Sequence, residues 1–322
     1  MGESTANSGT PFLGRSVVSA HDLTKEDILQ VLETAGRFEA QTRSKDGRWQ
    51  PLAPRLAGRV LGLLFYEPST RTRLSFESAM LRLGGAILGF ADPQVSSLSK
   101  GETLSDTIQV VSGYCDAIVL RHPQEGSARL AAEVSSIPVL NGGDGSNQHP
   151  TQTLLDLYTI QKAMGRLDGL RVGFMGDLRY GRTVHSLAEA LLHFESKQVF
   201  IAPEGLQLPQ TLRGRIEVAG KFDGEVARLE DAGPLDVLYV TRIQKERFPD
   251  PLEYDRVRNA YRVDRAALEP LGPELKILHP LPRVNEIDPE VDTLPGALYF
   301  EQTRSGVTVR MALLDMILGG SA

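Results

Sequence analysis

Arg59 to Gly85 reads RVLGLLFYEPSTRTRLSFESAMLRLGG. Arg59 to Phe65 is an apolar run of strand length, and Thr70 to Leu83 reads as a helix that Gly84 and Gly85 close. Between them lies a turn crowded with hydroxyls and guanidiniums. A buried strand passing through a polar turn into a helix opens a βαβ unit, and the rest of the chain repeats that alternation. Thr24 to Ala40 reads as a preceding amphipathic helix, with Ile28, Val31, Leu32 and Ala35 on one side. Ala117 to Leu120 and Ile137 to Leu140 read as strands separated by a helix from Ala128 to Val134, and Asn141 to Gln148 as a glycine- and asparagine-rich loop. A helix follows from Pro150 to Met164, and the pattern restarts. Arg171 to Met175, Gln198 to Ala202, Val237 to Val240 and Lys276 to Leu278 read as strands, Thr183 to Phe194 as a helix. Val307 to Leu318 closes the chain as a helix, with Val309, Ala312, Leu313, Met316 and Ile317 at helical spacing.

The expected fold is therefore α/β, with two doubly wound parallel-sheet domains, since 322 residues exceed what one core usually serves. A net charge of -6 argues against a general nucleic-acid binder, which needs a basic face. It leaves open a small anionic substrate, because a few arginines gathered in a cleft dominate at short range. The single cysteine, Cys115, forms no internal disulfide and reads as a small buried residue at a strand start. Met1 to Thr10 is polar, lacks the apolar core of a secretory signal, and is expected to be a disordered tail. No apolar run approaches the ~20 residues that span a bilayer, so a cytoplasmic protein with no membrane partner is expected.

Chemistry-bearing residues recur at strand ends. Glu67 to Arg73 sits where a strand meets a helix N-terminus, so free N–H groups, the helix dipole and side-chain donors converge on an anion such as phosphate. A helix cap accounts for one of the hydroxyls of Ser69, Thr70 and Thr72, not for the whole run. Arg71 and Arg73 diverge on a helix, and Arg71 is the expected ligand. Ser96 to Glu102, with Lys100, reads by itself as an ordinary surface loop. Arg121 follows a strand directly, where ligands bind in open α/β sheets, although a solvated arginine is an equal reading.

His149 and Gln152, at i and i+3 around Pro150, share one face and offer donors to a small ligand, with a capping or core histidine as the alternative. No second histidine or carboxylate cluster shares that spacing, so no metal is expected. Gly176 to Ser186 lacks G-x-G-x-x-G, and its Arg182 suits a carboxylate better than a dinucleotide. Thr241 to Arg247, holding Arg242 and Gln244, reads alone as a solvated charged face. His279 to Arg283 has two prolines, which leave carbonyls such as that of Leu281 free to accept from an ammonium or amide. With no nucleophile–base pair and no nucleotide loop, the chemistry implied is the positioning and charge neutralisation of small anions in a cleft between domains.

These strings, FYEPSTRTR, SLSKGE, RHPQE, GDGSNQHPTQ, GDLRYGRTVHSL, TRIQKER and HPLPR, make the sequence closely resemble the carbamoyltransferases, within them the aspartate-specific branch. The resemblance runs from about Leu61 to the C-terminal helix. It implies transfer of a carbamoyl group from carbamoyl phosphate to L-aspartate, a step of pyrimidine biosynthesis, with no metal and no cofactor. It also implies a first domain over 1–150 plus 303–322 that binds carbamoyl phosphate, and a second over 151–302 that binds aspartate. Ser69, Thr70, Arg71, Thr72, Arg121, His149 and Gln152 would hold carbamoyl phosphate. Lys100, Arg182, Arg242, Gln244, Leu281 and Pro282 would hold aspartate, Lys100 serving carbamoyl phosphate as well. Ser97 and Lys100 would come from a neighbouring copy in a homotrimer with shared active sites, and regulatory chains are a possible further partner. The ornithine-specific branch would share STRTR and HPTQ but favour acidic groups near the second substrate, where this chain has Arg182 and Arg242.

Overall fold

The structure is a computed structural model, and it describes residues 12–44, 46–91, 101–243 and 261–319. The chain divides into two units. The first comprises Met1–Asp22, Glu26–Gly145 and Val307–Ala322, the second Leu23–Lys25 and Ser146–Gly306.

In the first unit, α1 (Lys25–Thr42) precedes β1 (Val60–Phe65), α2 (Thr70–Arg82), β2 (Ala86–Phe90), α3 (Leu104–Ser112), β3 (Ala117–His122), α4 (Ser127–Val134) and β4 (Val139–Asp144). All the pairings are parallel, and the strand order is β2-β1-β3-β4. The chain thus moves one way from β1 to β2 and the other way from β3 to β4. Parallel crossovers are almost always right-handed, so helices of opposite travel cover opposite faces. The packing agrees: Ile108 and Leu104 of α3 and Ala131 and Val134 of α4 share one cluster with Leu64, Ile118, Leu120 and Val139 of the sheet, and no α2 residue enters it.

The second unit repeats the plan. Its elements are α5 (Pro150–Met164), β5 (Arg171–Met175), α6 (Arg182–Ala190), β6 (Lys197–Ile201), α7 (Gln210–Val218), β7 (Phe222–Val226), β8 (Val237–Val240), α8 (Arg265–Leu268) and β9 (Lys276–Leu278). The sheet is again wholly parallel, in the order β7-β6-β5-β8-β9. One face is packed by Leu229, Leu235, Leu268, Leu271 and Tyr299 against Ile201, Leu238, Val240 and Ile277. The last helix, α9 (Tyr299–Leu318), starts in this unit, and its residues from Val307 belong to the first.

Several expected boundaries differ, each for a physical reason. Asn141 to Asp144, read as loop, completes β4. Asn141 is fully buried there because its amide donates to Val18 O (2.9 Å) and Asp144 Oδ1 (2.8 Å) and its Oδ1 accepts from Gly143 N (2.7 Å). α9 begins eight residues before Val307, at Tyr299. Its first turns bury Gln302 and Ser305, polar side chains that hide the apolar period. β2 and β7 were not anticipated. Both are edge strands whose residues are only partly buried or exposed, with glycine or charge in place of a continuous apolar run. Cys115 lies two residues ahead of β3 and is half-buried; burial pushes its thiol up to about 11, so it stays protonated and inert.

Within the first unit, Arg55 grips the last helix by a bidentate pair to Asp315, Nε–Oδ1 2.6 Å and Nη2–Oδ2 3.0 Å. Charge-assisted bonds of this type contribute about 1.5–3 kcal/mol each before solvent screening. We expect Arg55→Ala to lower the unfolding free energy by about 1–3 kcal/mol, read as a lower urea midpoint at unchanged m value. An unchanged midpoint would show that the strap is dispensable.

Candidate active site

Ligands in doubly wound sheets bind outside the carboxyl ends of the strands where the strand order reverses. In the first unit that point lies between β1 and β3. Phe65 is opposite Arg121 in the register, and Tyr66 N donates to Arg121 O at 2.8 Å. β1 runs through Glu67–Ser69 into α2. Ser69 occupies the N-cap position with extended backbone, φ -155° and ψ 94°, and its hydroxyl makes no capping bond. The leading N–H groups of α2 therefore are not spent on the cap side chain, and the positive end of the helix dipole stays available. Thr72 is buried, while Thr70 and Arg71 face outward in the first turn. Arg73 is committed elsewhere, Nε to Glu77 Oε1 at 2.6 Å along its own helix.

Arg121, near the end of β3, is held from two sides. Its Nη2 lies 2.7 Å from Glu67 Oε1, and its Nη1 donates to Gly142 O at 3.2 Å. The neighbouring His122 packs on Tyr66, ring centroids 4.9 Å apart. Burial depresses its pKa against the pull of Glu67 and Asp144, and Nδ1 accepts from Gln124 N, so the neutral ring carries its proton on Nε2.

In the second unit, His149 is the N-cap residue of α5 and is 4% exposed. Its carbonyl accepts from Gln152 N (2.9 Å) and Thr153 N (3.2 Å), and its ring makes no capping bond. Gln152, on the first turn, donates Nε2 to Asp156 Oδ1 at 2.8 Å. Asp156, fully buried, also accepts from Gln302 Nε2 (2.6 Å) and Tyr239 OH (2.8 Å). The structure thus gathers His149 and Gln152 at the head of α5, and Ser69, Thr70, Arg71, Thr72 and Arg121 at the β1/β3 reversal of the first unit.

The second sheet reverses between β5 and β8. Thr241 N donates to Met175 O at 2.8 Å, and a Cβ on Gly176 (φ 117°) would stand 2.1 Å from Thr241 O, so only glycine fits where the two chains part. Asp177 Oδ1 accepts from Tyr180 N (2.9 Å) and turns the chain into α6, whose first residue is Arg182. Arg242 is the second residue after β8. With Gly176, Thr241, Tyr261 and Asn285 it lines a cavity of about 60 Å³, room for a few waters or a carboxylate. In the loop that leads to the cavity-lining Asn285, Leu281 holds φ 52°, and its N–H donates to His279 Nδ1 at 2.8 Å, with Pro282 next in the chain. Ser97, Lys100 and Gln244 lie outside the described residues. The sequence reading passed over Asp156, Gln302 and Glu286. Asp156 had a signal, the Gln-to-Asp i,i+4 pair with Gln152; Gln302 and Glu286 had none.

Arginines at both strand-order reversals define a two-domain α/β protein built to orient small anions by charge and hydrogen bonding. Comparison with known proteins refines that class. Residues 15–162 match the family model described as aspartate/ornithine carbamoyltransferase, carbamoyl-P binding domain, and residues 168–317 match its Asp/Orn binding domain. The aspartate carbamoyltransferase catalytic subunit of Thermococcus onnurineus is 57% identical over 307 residues, 95% of this chain and 97% of the relative. The solved catalytic subunit of M. jannaschii aspartate transcarbamoylase superposes with a TM-score of 0.87 at 52% identity, covering 95% of this chain and 98% of that one. The Trypanosoma cruzi enzyme in complex with carbamoyl phosphate and aspartate gives 0.87 at 35% identity, over 96% and 97%. The chain belongs to the aspartate/ornithine carbamoyltransferase family.

One histidine near this site gives a pH signature. His185 of α6 donates Nε2 to Leu178 O at 2.7 Å, and burial holds its pKa below the ordinary 6.5 although that carbonyl pulls it up. The unfolded chain then binds the proton first as pH falls, so this contribution is complete above pH 6.5 and is lost below it. We expect the melting temperature to drop between pH 7.5 and 5.5, and His185→Gln to shrink that drop. An equal drop in both proteins refutes the assignment.

Proposed function

We propose that this chain transfers the carbamoyl group of carbamoyl phosphate to the amino group of L-aspartate, giving N-carbamoyl-L-aspartate and phosphate. The observation that carries this reading is the placement of Arg121 at the β1/β3 reversal and of Arg242 at the cavity beside the β5/β8 reversal, one guanidinium for each of two anions. In this reading Ser69, Thr70, Arg71 and Thr72 grip the phosphate and carbonyl oxygens at the start of α2, and Arg121, His149 and Gln152 complete the carbamoyl pocket. Arg182, Arg242 and Gln244 take the aspartate carboxylates, while the Leu281 carbonyl and Pro282 line the amine end.

The neutral amine attacks the carbamoyl carbon, a C–N bond forms, and an oxyanion develops. Arg71, Thr72, Arg121 and His149 donate to it, each such donor being worth about 3 kcal/mol, or 10²–10³ in rate. As the C–O bond to phosphate breaks, the leaving phosphate takes the amine proton, so the mechanism calls on no protein base, metal or cofactor. We further infer a cytoplasmic homotrimer in which Ser97 and Lys100 reach the site of a neighbouring copy, with regulatory chains as possible further partners. The relatives' designation as catalytic subunits supports the regulatory chains.

The direct test supplies carbamoyl phosphate with aspartate, ornithine or no acceptor. Carbamoyl aspartate from the first mixture alone is the expected result; turnover with ornithine would show that Arg182 and Arg242 were misassigned. The shared site has its own test. Lys100→Ala and Arg71→Ala proteins, each inactive, should regain about a quarter of full activity when mixed and reassembled at random, because each mixed trimer holds about one intact site in three. Mixed trimers without activity refute it.

A further inference from the structure

Inside the second unit hydrogen bonds link five residues in one chain that passes through both the backbone and the ring of His279. Gln152 Nε2 donates to Asp156 Oδ1 (2.8 Å), and Gln302 Nε2 donates to the same oxygen (2.6 Å). Gln302 Oε1 accepts from His279 N (2.9 Å), and His279 Nε2 meets Glu286 Oε1 (2.7 Å). Asp156, Gln302, His279 and Glu286 are all at least nine-tenths buried.

The polarity of this chain follows from its bonds. Both glutamines turn their NH₂ groups toward Asp156 Oδ1, and Tyr239 OH donates to its other oxygen. Gln302 then has only its oxygen left for His279 N–H. The Leu281 N–H donates to His279 Nδ1, which makes Nδ1 the bare nitrogen, places the ring proton on Nε2, and directs it to Glu286. The second Glu286 oxygen accepts from Val284 N (3.0 Å) and Asn285 N (3.1 Å), closing the loop from His279 to Glu286 on itself. Leu281 sits within that loop at φ 52°, a left-handed conformation that a leucine keeps only when its surroundings hold it.

We propose that Asp156 is a positioning residue for the transfer reaction, fixing the Gln152 amide directly and the Leu281 backbone through Gln302 and His279. This rests on the functional reading above, which gives Gln152 to the carbamoyl group and the Leu281 carbonyl to the amine end. Asp156 touches neither substrate; it sets which atom of Gln152 is presented and holds the carbonyl in place through three intervening bonds.

The test is a double-mutant cycle in the full chain, paired with hydrogen–deuterium exchange that needs no activity. Asp156→Ala and His279→Ala should each lower kcat by about 30-fold, and the double variant by about 30- to 100-fold instead of the ~1,000-fold product, because both break one chain. Asp156→Asn, which keeps an oxygen for the two amides, should recover activity to within about fivefold of wild type. Multiplicative losses, or no recovery in Asp156→Asn, overturn the proposal. By exchange, Asp156→Ala should open the 279–286 segment about tenfold faster with α6 unchanged, and unchanged exchange there also overturns it. Should Asp156→Ala not fold, Asp156→Asn against Gln302→Leu supplies the same comparison: faster exchange at 279–286 in the latter only is expected, and equal exchange overturns the proposal. A wild-type chain that transfers no carbamoyl group would sink the functional reading, whereas the exchange result decides the positioning chain by itself.

Discussion

Right-handed crossover is the constraint from which the rest of this molecule follows. A chain that adds parallel strands first to one side and then to the other must place its helices on opposite faces, and the two strands it departs from are left with a crevice at their carboxyl ends. Each unit has one such pair, β1 and β3 in the first, β5 and β8 in the second. Around the carboxyl ends of these four strands stand Ser69 to Arg71 at the start of α2, Arg121 near the end of β3, Arg182 at the start of α6 and Arg242 just past β8. Topology alone thus delivers helix N-termini and guanidiniums to two places, with no need for the residues to be near in sequence.

How much of this was legible beforehand follows the same physics. Strands buried on both faces, such as Val60–Phe65 and Val237–Val240, announce themselves as apolar runs, and the arginines beyond them announce the sites. Edge strands do not: Phe222–Val226 carries Asp223, Gly224 and Glu225, and its backbone pairing, invisible in composition, makes it a strand. Nor do buried polar groups. Asn141 reads as loop and Gln302 gives no signal, because their type is usually exposed and only their partners reveal otherwise. Strand-end chemistry can be read from sequence; the hydrogen-bonded groups that orient it depend on tertiary pairing.

Asp156 shows what that pairing must supply. A carboxylate removed from water is tolerable only when fully partnered, and stripping its partners typically destabilises by about 3–5 kcal/mol. Three donors from α5, β8 and α9 meet that need, and in doing so they tie together elements far apart in sequence. Leu281 illustrates the use of such stiffness. Its left-handed backbone stores about 1–3 kcal/mol, which the surrounding hydrogen bonds offset.

Charge in the first unit explains why a net-acidic protein can still favour an anion. Glu67 neutralises part of Arg121 at 2.7 Å, and in exchange keeps the guanidinium from wandering. Arg71, in the first turn of α2, adds a second guanidinium at the same end of the sheet as that pair. At an effective dielectric of about 20, a unit charge at 4 Å is worth about 4 kcal/mol, so a dianion gains roughly twice what a monoanion does. The pairing therefore weakens absolute affinity but preserves the preference for a doubly charged phosphate over a carboxylate. On the proposed reading that is the order of selectivity a phosphate site in the first unit requires, with the carboxylates of aspartate left to the arginines of the second sheet.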